Sequence, residues 1–242
     1  MFKREKKQST TTTSAINLTT LNEPMSVITE QIKTIRTNIN FSATDKQLRT
    51  LMVTSSMVGE GKSTICANLA VEYAKEGLQV LLVDADLRRP TIHKTFRLAN
   101  QRGLSSWLGR QIDDVNEAIF PTLNNLFVMP SGPKPPNPAE LLGSGRMKEF
   151  LTSATRKLDM VIVDAPPILP VTDSLLLANQ VDGTVFVIRQ GVAQKNAVRD
   201  AVLALKSSRA TLLGTILNDV HDHGSRGYYG YSNGYGYYSD DK

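Results

Sequence analysis

Leu51-Met52-Val53-Thr54-Ser55-Ser56-Met57-Val58-Gly59-Glu60-Gly61-Lys62-Ser63-Thr64 decides the fold: an apolar run of strand character, a glycine turn, and then Gly-Lys-Ser-Thr opening a helical stretch over 65–74 that Gly77 caps. Strand, glycine loop and helix in that order are the layout of a phosphate-binding loop. The glycines let backbone N–H groups turn toward phosphate oxygens, and the helix N-terminus adds positive potential. Lys62 can then reach the β- and γ-phosphates, and Ser63 can ligate Mg²⁺. Ser56 stands where the pattern G-x-x-x-x-G-K-[ST] has its first glycine.

The same alternation extends outward. Short runs rich in Val, Ile and Leu occur at 50–55, 79–84, 126–129, 159–164, 184–188 and 211–217, separated by stretches of helical character. This pattern predicts an α/β domain with a doubly wound, mostly parallel sheet and helices on both faces. Ligands of such sheets bind beyond the carboxyl ends of the strands. Upstream, Ile28, Ile32, Ile35 and Ile39 recur at helical spacing behind Pro24, a residue suited to a first turn, so 25–41 reads as an amphipathic helix.

Two further strand ends are acidic. Val80-Leu81-Leu82-Val83 runs into Asp84-Ala85-Asp86-Leu87-Arg88-Arg89-Pro90, delivering two carboxylates and two guanidinium groups to the phosphate end of the sheet. Paired carboxylates there can hold Mg²⁺ directly or through water, and one can accept a hydroxyl proton. Met160-Val161-Ile162-Val163 ends in Asp164, as in a Walker B strand whose carboxylate orients Mg²⁺ or its waters. An acidic strand end alone is weak; three motifs at one end of one sheet are not.

The chain has 242 residues, enough for one domain with tails. Its 40% hydrophobic and 21% charged content is that of a globular protein. The basic cluster Lys3, Arg4, Lys6 and Lys7 and the polar run 9–14 cannot build a core, which divides the chain into a flexible arm over 1–23, a domain over 24–220 and a flexible tail over 221–242. No apolar stretch approaches the roughly 20 residues of a membrane span, and none follows the basic start as in a signal peptide, so a cytosolic location is expected. The formal charge of +5 is spread along the sequence without a nucleic-acid motif, so no specific nucleic acid is expected. Cys66, the single cysteine, sits among apolar residues and reads as a core side chain, and Trp107 reads as a packing residue. His93, His221 and His223 lack partners at metal-binding spacing.

Six of the seven tyrosines, Tyr228, Tyr229, Tyr231, Tyr235, Tyr237 and Tyr238, crowd into the last fifteen residues among glycines. Behind an ATP site, a low-complexity tail of this kind becomes a row of phosphate acceptors. About 20 flexible residues reach roughly 25 Å, enough to enter the site of an adjoining copy.

Together these elements resemble the bacterial tyrosine kinases, P-loop proteins of capsule and exopolysaccharide synthesis that carry Walker A, a modified second Walker motif, Walker B and a tyrosine-rich tail. The resemblance covers 24–242 and implies the P-loop NTPase fold, ATP and Mg²⁺ as cofactors, and autophosphorylation of the tail tyrosines. By the resemblance Lys62, Ser63 and Thr64, with Gly59, Glu60 and Gly61, would hold the nucleotide. Asp84 and Asp86 would supply metal contact and proton acceptance, which of the two is the base remaining open, and Asp164 would complete the Mg²⁺ site. Asn218, after the 211–217 strand, could touch adenine or simply turn the chain. Glu30, Lys33 and Arg36 occupy the family's Glu-x-x-Arg-x-x-Arg oligomerisation motif, with Lys33 in place of the first arginine. The Pro-rich segment 131–142 also matches and reads first as a rigid connector.

The same resemblance implies a ring-shaped homo-oligomer, protein substrates and a cognate phosphotyrosine phosphatase. It also implies a transmembrane activator of the polysaccharide co-polymerase type that holds the kinase at the inner face of the membrane. Two other functions fit the fold class. A MinD- or ParA-like ATPase switch would have its signature lysine at Met57, and a nucleotide-binding scaffold would bind ATP without labelling the tail.

Overall fold

The computed structural model describes residues 16–43 and 47–221. In chain order these form α1 (Thr19–Asn22), α2 (Val27–Ser42), β1 (Thr50–Ser55), α3 (Lys62–Lys75), β2 (Val80–Asp84), α4 (Ile92–Thr95) and α5 (Leu104–Leu108). A 3-10 turn at Val115–Ala118 leads to β3 (Phe120–Leu123), β4 (Leu126–Met129), α6 (Pro138–Leu142), α7 (Gly145–Lys157), β5 (Met160–Asp164), α8 (Asp173–Ala178), β6 (Gly183–Arg189), α9 (Lys195–Ser207) and β7 (Leu212–Asn218). The strands make one sheet in the order β3-β4-β2-β5-β1-β6-β7. All neighbours are parallel except β3 and β4.

The continuous apolar runs are explained by burial on both faces. Leu51, Val53, Met160 and Ile162 point into a core with α2 and α3. The alternate residues Met52, Val161 and Val163 point into a second core with α5 to α9. This is the doubly wound arrangement expected from the pattern. Parallel register aligns the strand ends: Asp84 stands opposite Asp164, Val53 opposite Asp164 on the other side, and Arg189 opposite Asn218.

Four expectations change. Residues 16–22, assigned to the arm, pack onto the domain: Thr20 is fully buried, and its N–H and hydroxyl both donate to Asn68 Oδ1 at 3.0 Å. The globular body therefore begins by residue 16 rather than 24. The first long helix is capped by Ser26, whose Oγ accepts from Thr29 N at 3.2 Å, while Pro24 lies in the turn before it. The short edge strand β3 was not foreseen, because Pro121 within it reads as a strand breaker; at an edge the missing N–H costs no ladder bond. The Pro-rich segment is only partly a connector, since Pro138 starts α6.

Candidate active site

β1 feeds directly into the phosphate loop, and α3 begins at Lys62. Gly59 and Gly61 have φ of +88° and +93°, the left-handed region that glycine enters without strain. A side chain at 61 would also collide with Asn218, whose Nδ2 would lie 2.1 Å from the added Cβ. The loop is cross-tied from inside. Glu60 is fully buried and its Oε1 accepts from the Ser56 hydroxyl and from Met57 N, the latter at 2.9 Å. Ser56 thus contributes a hydroxyl tie where the motif has a glycine.

Lys62 is buried where the two acidic strand ends meet the phosphate loop. Its Nζ donates to Asp86 Oδ2 at 2.9 Å and lies 3.8 Å from Asp164 Oδ1. Burial works against its charge, but Asp164, Asp86 and Asp84 outweigh that and hold the ammonium charged beyond the usual lysine range. The carboxylates respond in the opposite sense. Burial, with Asp164 and Asp86 as negative neighbours, pushes Asp84 well above the ordinary carboxylate range. Burial likewise raises Asp164 against the pull of Lys62.

Asp84 and Asp86 are not equivalent. Asp84 Oδ2 accepts from Thr91 N and Ile92 N at 3.2 and 3.1 Å, anchoring the start of α4. Asp86 accepts from Arg89 N at 3.0 Å and lines the cavity beyond the loop. That cavity, about 900 Å³, is bordered by Gly59, Gly61, Lys62, Ser63, Thr64 and Asp86, with Arg89 and Arg189 among its cations. The two arginines after the acidic pair also diverge. Arg88 forms a bidentate bridge to buried Asp173, at 2.8 and 3.0 Å, while Arg89 faces the cavity.

The site fits a magnesium nucleotide. Both oxygens of Asp164 and Oδ1 of Asp84 are buried without a hydrogen-bond partner, the condition that a cation and its waters relieve. Among the described residues no three His, Cys, Asp or Glu side chains converge to cage a cation by themselves, which suits an ion shared with phosphate oxygens and water.

The β6 and β7 ends contribute residues that motif reading missed or placed differently. Arg189 donates to the Gly59 carbonyl at 3.1 Å and pairs with Asp219 at 2.8 Å. Asn218, the residue that the resemblance offers for adenine, donates from Nδ2 to the Glu60 carbonyl at 3.1 Å. The only available signal for Arg189 was its position at a strand end. In the Glu-x-x-Lys-x-x-Arg stretch of α2, Glu30 and Lys33 form an exposed pair at 2.8 Å, but Arg36 is turned inward to Glu72 O at 3.3 Å and Glu76 Oε1 at 2.7 Å. Burial raises the Cys66 thiol well above its usual range, in keeping with a packing role. Trp107 packs against Phe150 at 5.5 Å and under Arg146. The six tail tyrosines and His223 lie outside the described residues.

Residues 47–223 match the ParA family model, described as a NUBPL iron-transfer P-loop NTPase. Tyrosine-protein kinase YwqD of Bacillus subtilis is 46% identical over 88% of this chain and 91% of its own length. The putative tyrosine-protein kinase CapB of Staphylococcus aureus is 34% identical over 86% and 92%. The solved kinase domain of Escherichia coli tyrosine kinase ETK superposes with a TM-score of 0.82 at 32% identity, covering 90% of this chain and 86% of that one. MinD of Pyrococcus furiosus, at 24% identity and a TM-score of 0.59, shares the fold alone. The chain therefore belongs to the bacterial tyrosine-kinase family of P-loop NTPase type, and is an ATP- and Mg²⁺-dependent protein-tyrosine kinase with a role in capsule and exopolysaccharide synthesis.

Proposed function

We propose that this kinase transfers the γ-phosphoryl group of ATP in trans to Tyr228, Tyr229, Tyr231, Tyr235, Tyr237 and Tyr238 of a neighbouring copy. The observation that supports this most is the convergence of Lys62, Asp86 and Asp164 beyond the phosphate loop, in a chain whose last strand precedes the tyrosine-rich segment in sequence.

Lys62 exchanges its carboxylate partners for β- and γ-phosphate oxygens and stabilises the charge that spreads over the transferring group. Bound Mg²⁺ supplies further neutralisation of the phosphates. Ser63, Asp164 and the unpartnered Oδ1 of Asp84 would hold it, with Asp86 contributing directly or through water. Asp86, on the cavity wall, is the carboxylate placed to take the phenolic proton, whereas Asp84 has Oδ2 tied to the start of α4 and only Oδ1 left for the cation and its waters. The bond from the γ-phosphorus to the β,γ-bridging oxygen breaks as that to the tyrosyl oxygen forms, and ADP leaves.

This chain spans 31% of the Salmonella typhi kinase wzc and 30% of Escherichia coli etk. Among the described residues no helix is long and apolar enough to cross a membrane. A transmembrane activator of the co-polymerase type would hold the kinase at the inner face. Glu30 and Lys33 would contribute to a ring of kinase subunits, and a phosphatase would reset the tail.

The test is to incubate the purified chain with Mg²⁺ and ATP, with and without the activator's cytosolic segment, and to map phosphotyrosine by mass spectrometry. Label confined to 228–238 and lost in Lys62→Met is the expected outcome. Mixing a Lys62→Met chain bearing an intact tail with an active chain whose six tail tyrosines are Phe should label the former. ADP release without phosphotyrosine under either condition would favour the ATPase switch.

A further inference from the structure

We infer that Arg189, Asn218 and Asp219 are positioning residues that hold the phosphate loop in its binding shape by fixing two consecutive peptide planes. In a trans peptide the C=O of one residue and the N–H of the next point in opposite directions. The Gly59 carbonyl shares its plane with Glu60 N–H, and the Glu60 carbonyl shares its plane with Gly61 N–H. Arg189 Nη1 holds the first carbonyl at 3.1 Å, and Asn218 Nδ2 holds the second at 3.1 Å. Anchoring the two oxygens therefore sets the direction of the Glu60 and Gly61 N–H groups. Glycine on both sides of Glu60 leaves these planes free to rotate otherwise, since Gly59 and Gly61 both occupy positive φ.

Asp219 completes the clamp. Its Oδ2 accepts from Arg189 Nε at 2.8 Å and lies 2.8 Å from Nη2, which leaves Nη1 for Gly59. Asp219 itself sits at φ +55°, a conformation that Asp and Asn tolerate better than most residues, so the turn after β7 aims its carboxylate back at the guanidinium. The edge of the sheet is pinned by the same turn: Gln190 N donates to Asn218 O at 3.0 Å, and His221 N donates to Gln190 Oε1 at 3.1 Å. The segment that leads toward the tail is thereby joined through one ion pair to the loop that holds the nucleotide.

This inference rests on the nucleotide-site reading above and not on which hydroxyl receives the phosphoryl group, so affinity for a fluorescent ATP analogue with Mg²⁺ is measured separately from turnover. The enzyme is the full chain with its six tail tyrosines changed to Phe, and the acceptor is a Lys62→Met chain with its tail intact. Asp219→Asn keeps shape and φ but removes the charge that orients Arg189. It should weaken analogue binding and raise the KM for ATP about tenfold, with the KM for the acceptor chain unchanged. Asn218→Ala should do the same through the second plane. Arg189→Lys should recover part of what Arg189→Gln loses, because an ammonium can serve the carbonyl or the carboxylate but not both as a fork. Arg102→Gln, which breaks the exposed bridge to Glu117, is the control and should change neither constant. Equal or tighter ATP binding in Asp219→Asn would overturn the clamp and make Arg189 a direct phosphate ligand. So would a loss of affinity that merely follows the fraction of protein unfolded at the assay temperature.

Discussion

Asp84 carries a stability cost that its site requires. A carboxyl whose folded-state pKa lies above its unfolded value keeps its proton in the fold where the unfolded chain has released it, so stability falls as pH rises from about 4 through that raised value. Asp84→Asn retains an oxygen to accept from Thr91 N and Ile92 N and removes the charge. We expect it to be more stable than the parent above that window, on the order of 1 kcal/mol, with the gap opening as pH rises through the raised value and constant beyond it. Kinase activity should fall steeply in the same variant, since the field around Lys62 changes; chemical denaturation at several pH values beside a phosphotyrosine assay checks both. Tyr73 gives a second residue-scale test. It is buried, its hydroxyl donates to Asn40 Oδ1 at 2.8 Å, and burial pushes its pKa up to about 12. In the chain with six tail tyrosines changed to Phe, Tyr73 is the sole tyrosine. Alkaline absorbance titration should then show one midpoint about two units above that of free tyrosine.

Among the elements, α2 divides its motif between two roles. Arg36 is mostly buried and ties α2 to the end of α3, whereas Lys33 and Glu30 pair on an exposed face. Arg36→Ala should lower stability by about 1 kcal/mol, from one charge-assisted bond to a carbonyl and a half-exposed ion pair. Lys33→Ala should leave the unfolding temperature in place and alter only the size of the assembly, read by sedimentation. The division could not be read from the motif, because spacing puts residues 30, 33 and 36 on one face without saying what α3 presents to it. The same limit applies elsewhere. Apolar runs made β1, β2 and β5 legible, β2 and β5 by their acidic ends and β1 by the glycine loop that follows it, since burial on both faces demands such composition. Short β3 carries no such demand at an edge. Thr20 and Asn68 meet across 48 residues, a pairing no local pattern reveals. At the site, glycine spacing and strand-end carboxylates disclosed the loop and its charges. The donors behind the loop, Arg189 and Asn218, belong to strands distant in sequence and became visible only once register set them side by side.

On the scale of the molecule, net charge links chemistry to assembly. The chain carries a formal +5, and each phosphotyrosine adds about −1.5 to −2 near neutral pH. Six such groups bring roughly −9 to −12, so a fully modified chain carries about −4 to −7, with the added charge confined to one segment. That segment would then be repelled by other modified tails and by the carboxylates Asp84, Asp86 and Asp164. An unmodified tail, by contrast, meets a cavity bordered by Lys62, Arg89 and Arg189. Early phosphorylation therefore need not release the tail, because one phosphate is attracted to those cations; release should come only when repulsion among several outweighs it. The expected course is a ring that persists through the first modifications and loosens at high occupancy, earlier at low salt, where screening is weak. Light scattering during exhaustive autophosphorylation, with occupancy counted by mass spectrometry, follows both quantities in one sample. An oligomer that keeps its mass at full occupancy and low ionic strength would remove charge repulsion as the means of disassembly.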